Sequence, residues 1–158
     1  HKAFIVLLYS AGLRLSEVAT LRWEDIQRKD QRIFIRASKN RKERYALLSS
    51  SAITILEIYW RTHGKPMKWL FPGRNPDSPI SKSTGANYIK RHLEFFGWPF
   101  PVSAHTFRHC FATHLYEQGE DLLSIKEYLG HSSINSTTLY VQLARKVSSK
   151  PVSPFDVR

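Results

Sequence analysis

The chain is 158 residues long, enough for one domain with a sizeable core, and its 42% apolar and 13% aromatic content excludes a disordered segment. Lys and Arg number 24 against 13 Asp and Glu, a formal charge of +11 that points to a polyanionic partner, nucleic acid before all others. A membrane surface is disfavoured because no amphipathic helix collects the charge, and no apolar run approaches the roughly 20 residues of a membrane span. Cys110 is the single cysteine, so no intrachain disulfide forms; set in an apolar helical run, it reads as core packing in a reducing, cytoplasmic compartment.

His1-Lys2 runs straight into Ala3-Phe4-Ile5-Val6-Leu7-Leu8, apolar on every side, which predicts a buried helix over about Lys2 to Ser10 and a stop near Gly12. So abrupt a start also suggests that an N-terminal part precedes it. Ser16 followed by Glu17 opens a second helix, with Val18, Leu21 and Trp23 facing inward. The period then changes to two: Arg32 to Arg36 and Arg44 to Leu48 read as a β-hairpin around the polar, largely cationic turn from Ala37 to Glu43. Ser50 or Ser51 caps a helix carrying Ile53, Leu56 and Trp60 on one face. From His63 to Ile80, glycines and prolines impose a loop in which Trp69-Leu70-Phe71 is a short buried segment.

Helices are expected over Ser81 to Phe96, Ala104 to Gln118 and Asp121 to Leu129, each stopped by a glycine, with another turn or two from Asn135 to Ala144. After Arg145 the tail carries Pro151 and Pro154 and reads as extended. The pattern implies an α+β fold: a mainly helical domain with one small antiparallel sheet over residues 1–145, followed by a tail over 146–158.

His105 and Arg108, three apart on one helix, share a face and reach one ligand group, beside an apolar line of Phe107, Phe111 and Leu115. HxxR alone is weak, and by itself a solvated pair without a role fits it better. His105 and His109 have the spacing of a zinc helix, but Thr106 stands where the base would be and Arg108 would put a cation beside the ion, so no metal is assigned. Leu129-Gly130-His131 follows a helix C-terminus, and Tyr140 ends a hydroxyl-rich stretch. Upstream, Arg14 stands at a helix junction with Glu17 three residues on, and Lys39 lies in the hairpin turn, where it could reach into a groove.

Taken together, these residues resemble the catalytic domain of the tyrosine recombinases, the phage-integrase and Xer-like family. The resemblance covers nearly the whole chain. It rests on Tyr9-Ser10-Ala11-Gly12-Leu13-Arg14-Leu15-Ser16-Glu17, Lys39 with Lys42-Glu43-Arg44 behind it, His105-Thr-Phe-Arg108-His-Cys-Phe-Ala-Thr-His-Leu115, Leu129-Gly130-His131-Ser132 and Tyr140. It implies that Arg14 and Arg108 grip the scissile phosphate, that His105 and His131 assist proton transfer, and that Tyr140 attacks phosphorus. Lys39 would protonate the departing 5′-oxygen and Glu17 would position the site.

No cofactor or metal is implied. The partner would be double-stranded DNA, with a homotetramer on DNA when the protein is full length, a tail exchanged between protomers, and a nucleoid-associated, cytoplasmic location. A separate N-terminal DNA-clamping domain is implied too, so this chain alone should bind weakly. Two other functions share the fold: a DNA-binding module without catalysis, and a type IB topoisomerase-like strand relaxer.

Overall fold

The computed structural model describes residues 1–37 and 42–130. Among the described residues there are six helices and a small sheet: α1 (Lys2–Ser10), α2 (Leu15–Ala19), a 3₁₀ turn (Trp23–Asp25), β1 (Ile26–Gln27), β2 (Arg32–Ile35), β3 (Arg44–Leu47), α3 (Ser50–Thr62), α4 (Lys82–Phe95), α5 (Ala104–Glu117) and α6 (Leu122–Leu129). The strands are antiparallel in the order β1-β2-β3, with Ile33 opposite Ala46 and Phe34 opposite Tyr45. The expected α+β architecture is therefore the observed one, with β1 an additional two-residue strand.

α1 packs against α3, α4 and α5, and this sets the core. Its Phe4, Leu7 and Leu8 meet Leu13, Val18, Ile33, Leu56, Leu70 and Ile89 in one apolar cluster, where each buried large side chain contributes about 1.5–3 kcal/mol. The helix is less enclosed than its all-apolar sequence suggests: Ile5 and Val6 are half-buried and Tyr9 is exposed. A second, smaller cluster of Phe111, Ala112, Ile125 and Leu129 joins α5 to α6, with Leu47 of β3 against it.

Local chemistry sets the helix starts. α2 begins one residue earlier than Ser16 suggested, at Leu15, with Arg14 as its extended N-cap residue. Glu17, at the third helical position, accepts the Arg14 backbone N–H at 2.9 Å, the reach-back contact of a capping box. Ser49, rather than Ser50 or Ser51, caps α3 by accepting the Ala52 N–H at 3.2 Å. Ser103 and Thr106 exchange side-chain and backbone hydrogen bonds at the start of α5. Asp121 accepts from the N–H groups of Leu123 and Ser124 at the start of α6.

Leu21 and Trp23 fall beyond α2, which ends at Ala19; Leu21 is buried and Trp23 stands in the 3₁₀ turn. The 63–80 loop is held by the segment from Leu21 to Trp23: Leu70 donates its N–H to Leu21 O at 2.8 Å, and Trp23 donates to Lys68 O at 3.2 Å. Cys110 is a half-buried free thiol rather than a core residue, because Phe111 and Ala112 take the inward positions of that turn. No helix among the described residues is long and apolar enough to cross a membrane. The turn or two expected from Asn135 to Ala144, the tail after Arg145 and residues 38–41 lie outside the described residues.

Candidate active site

Three of the expected site residues converge where the α1–α2 junction, the start of α5 and the end of α6 meet. Gly12, just after α1, adopts φ +58°, and a Cβ there would lie 2.3 Å from Phe111 of α5. That close approach of junction to helix lets Arg108 cross from α5 to the junction. Arg108 is 1% exposed. Its Nη1 donates to Gly12 O at 2.6 Å and its Nη2 to Leu129 O.

Arg14 reaches the same oxygen from the other side: its Nη1 donates to Leu129 O at 3.3 Å, with a longer 3.5 Å contact from Nη2 to Gly130 O. Two guanidiniums from remote parts of the chain thus meet at one main-chain carbonyl. The carbonyls at a helix C-terminus carry partial negative charge, which suits them to seat cations. Gly130 ends α6 in the left-handed conformation (φ 61°, ψ 48°), turning the chain so that these carbonyls face inward.

His105 is exposed in the first turn of α5, one turn before Arg108, as the HxxR spacing predicted. A cleft of about 520 Å³ opens here between α4 and α5; Arg14, His105 and Arg108 line it, with Ile89, Leu93 and Val102 as apolar walls. His109 packs its ring edge-on to His105, with centroids 4.4 Å apart. Burial first, then the charges of His105 and Arg108, push the His109 imidazole below the ordinary histidine range. Among the described residues no three His, Cys, Asp or Glu side chains cluster to hold a metal ion.

Glu17 uses all of its acceptor capacity. Its Oε1 accepts from Arg14 Nη1 at 3.1 Å and Arg44 Nη1 at 2.9 Å; its Oε2 accepts from Arg14 N at 2.9 Å and Arg44 Nη2 at 3.0 Å. Burial raises the carboxyl's affinity for a proton, but the Arg44 hydrogen bonds and charge, with those of Arg14, outweigh it and hold Glu17 below the ordinary carboxylate range. A carboxylate so occupied orients its neighbours and has no capacity left for proton transfer.

Arg44, at the start of β3, is the participant that sequence reading did not place in the site. The sequence marks it as a strand residue and as part of the Lys42-Glu43-Arg44 run of the family resemblance, without a role, and no short-range spacing ties it to Glu17. Lys39, His131 and Tyr140 lie outside the described residues. The flanks of the lysine turn are described: Arg36 pairs with Asp25 at 2.7 Å and Glu24 at 2.6 Å on the β2 side, and Arg44 pairs with Glu17 on the β3 side.

Residues 1–146 match the sequence profile of the phage integrase family. The tyrosine recombinase XerA of Pyrococcus horikoshii is 33% identical over 147 residues, covering 92% of this chain and 51% of that protein. The tyrosine recombinase XerD of Pseudomonas putida is 33% identical over 150 residues, covering 91% of this chain and 50% of the relative. The chain therefore spans about half the length of these curated relatives. In fold, the crystal structure of XerA recombinase superposes with a TM-score of 0.80 at 22% identity, covering 94% of this chain and 58% of that one.

Proposed function

This chain belongs to the phage integrase family, and from that premise we propose that it is the catalytic domain of a site-specific DNA recombinase that cuts and rejoins strands through a 3′-phosphotyrosine. The observation that carries the reading is the convergence of Arg14 and Arg108 on Leu129 O, beside His105, in one cleft. A phosphodiester entering there approaches two guanidiniums, whose charge and N–H donors suit its non-bridging oxygens and the charge that grows on them in the transition state.

In this mechanism Tyr140 Oη forms the bond to phosphorus as the bond from phosphorus to the 5′-oxygen breaks. The phenolic proton passes to His105 or His131, and the Lys39 ammonium protonates the departing 5′-oxygen. The phosphotyrosine conserves the energy of the phosphodiester, so a 5′-hydroxyl from the same or another strand reseals it without a nucleotide cofactor. The charge stabilisation comes from Arg14 and Arg108, and the reaction requires no metal ion. Full-length protein acts as a tetramer on double-stranded DNA at the nucleoid, residues 1–145 supplying the chemistry and 146–158 the contact exchanged between protomers.

The test is covalent capture. Full-length protein is incubated in EDTA with a pool of nicked duplexes of random sequence, and DNA that survives protein denaturation as a covalent adduct is recovered and sequenced. A recombinase yields adducts enriched in a defined site. Absence of any adduct refutes the enzymatic reading in favour of a binding module, and adducts with no sequence preference, together with plasmid relaxation, refute it in favour of a topoisomerase.

A further inference from the structure

We propose that Arg44 is a positioning residue for the phosphate-binding arginines; this rests on the recombinase reading. Arg44 is a long way in sequence from both Arg14 and Arg108, yet its side chain, 11% exposed, touches the support of each. Two of its nitrogens clamp Glu17 bidentately at 2.9 and 3.0 Å. The same Glu17 oxygens hold Arg14 by its side chain and by its backbone N–H. Without that clamp, Glu17 could rotate about its own side-chain bonds and carry the Arg14 guanidinium with it.

The third nitrogen acts on the other side of the site. Arg44 Nε donates to Tyr128 O at 3.1 Å, one residue before the Leu129 carbonyl on which Arg14 and Arg108 meet. One residue further on, the Arg44 stem fills the space a side chain at position 130 would need: a Cβ on Gly130 would lie 2.6 Å from Arg44 Cδ. Arg44 therefore brackets Leu129 and fixes the direction of its carbonyl. One guanidinium sets the carboxylate behind Arg14 and the carbonyl beneath both arginines, without lining the cleft itself.

Lysine at this position would keep the charge but not the fork, and could not serve Glu17 and Tyr128 O together. The alternative role for Arg44 is to aim Lys39, whose turn it flanks, and the two roles respond differently to the leaving group. Replacing the bridging 5′-oxygen by sulfur lets a thiolate depart without a proton, which bypasses Lys39 and leaves the demand on the arginines unchanged.

The experiment uses full-length protein on a duplex recovered by wild type from the nicked random pool, made with either oxygen or sulfur at the bridging position. Single-turnover cleavage at saturating DNA is measured for wild type, Arg44→Lys, Glu17→Gln and the double variant. Arg28→Gln serves as control, since it breaks an exposed pair with Glu57 remote from the cleft. Misplacing a transition-state donor by about 1 Å costs about 100-fold, and we expect Arg44→Lys to lose about that much on both substrates.

DNA affinity should stay within about 3-fold, and the double variant should be no slower than the worse single one, as expected for residues acting in one unit. The ratio between the two substrates is independent of each variant's folded fraction, and the loss against wild type is taken per folded molecule, with the folded fraction measured by urea denaturation. A defect that disappears with sulfur assigns Arg44 to Lys39 and overturns the proposal. Arg44→Lys cleaving as fast as wild type, or losing only DNA affinity, also overturns it while leaving the recombinase reading intact. Wild type that forms no adduct overturns both.

Discussion

Replacing Gly12 by alanine should damage the fold and the site together, because both depend on how closely this junction approaches α5. At φ +58° an L-residue carries the left-handed penalty of about 1–2 kcal/mol. The new methyl would also fall 2.3 Å from Phe111 Cδ1 and 3.0 Å from Leu129 Cδ2, atoms inside the smaller core cluster. Overpacking of that kind costs about 1–3 kcal/mol. The sum is about 2–5 kcal/mol, measurable as a lower midpoint in urea denaturation.

The clash is with a ring, so Phe111→Leu should relieve part of it: Gly12→Ala/Phe111→Leu is expected to be about 1 kcal/mol more stable than the two single losses added together. The backbone penalty would remain. Gly12 O also accepts Arg108 at 2.6 Å, so folded Gly12→Ala protein should cleave DNA more slowly. An alanine variant within about 0.5 kcal/mol of wild type, the range of neutral surface changes, would refute the packing argument.

Glu17→Gln should cost about 3 kcal/mol, since it leaves the largely buried Arg44 guanidinium facing an amide. The folded carboxyl titrates below its ordinary value of 4.5, so its stabilisation is full above that pH and drains away as pH falls through the lower folded value; thermal melts of the glutamine variant should lack this acid limb. Ser103→Ala removes the acceptor for the Thr106 N–H and should lower stability by about 1 kcal/mol in denaturant titrations. Duplex affinity of this chain alone should be weak and fall by about 10³-fold between about 50 and 200 mM salt, as measured by fluorescence anisotropy. A flat salt response would remove the argument from the +11 charge.

Local rules captured what depends on neighbours in sequence. The helices α1 and α3 to α6 follow from apolar spacing and glycine stops, and the face shared by His105 and Arg108 follows from helix geometry alone. Less was legible where the partner is distant or is backbone. Leu129 O seats both arginines, yet a carbonyl leaves no mark in a sequence. Arg44 pairs with Glu17 across the whole hairpin, beyond any local period. Ser16 has the chemistry of a cap but lies inside the helix, which starts at Leu15 with Arg14 as its N-cap residue and Glu17 accepting the Arg14 N–H. At two residues β1 is too short to establish an alternation.

In the proposed mechanism Tyr140 becomes linked to the 3′ end of a cut strand while Arg14 and Arg108 hold the phosphate. The most direct measurement is mass spectrometry of the trapped adduct after digestion of both protein and DNA, with chemical analysis of the released end. The expected product is a nucleotide attached through its 3′-phosphate to Tyr140, with a free 5′-hydroxyl on the other fragment and no adduct from Tyr140→Phe. A nucleotide on any other residue, a 5′-linked phosphate, or an adduct that persists in Tyr140→Phe would contradict it.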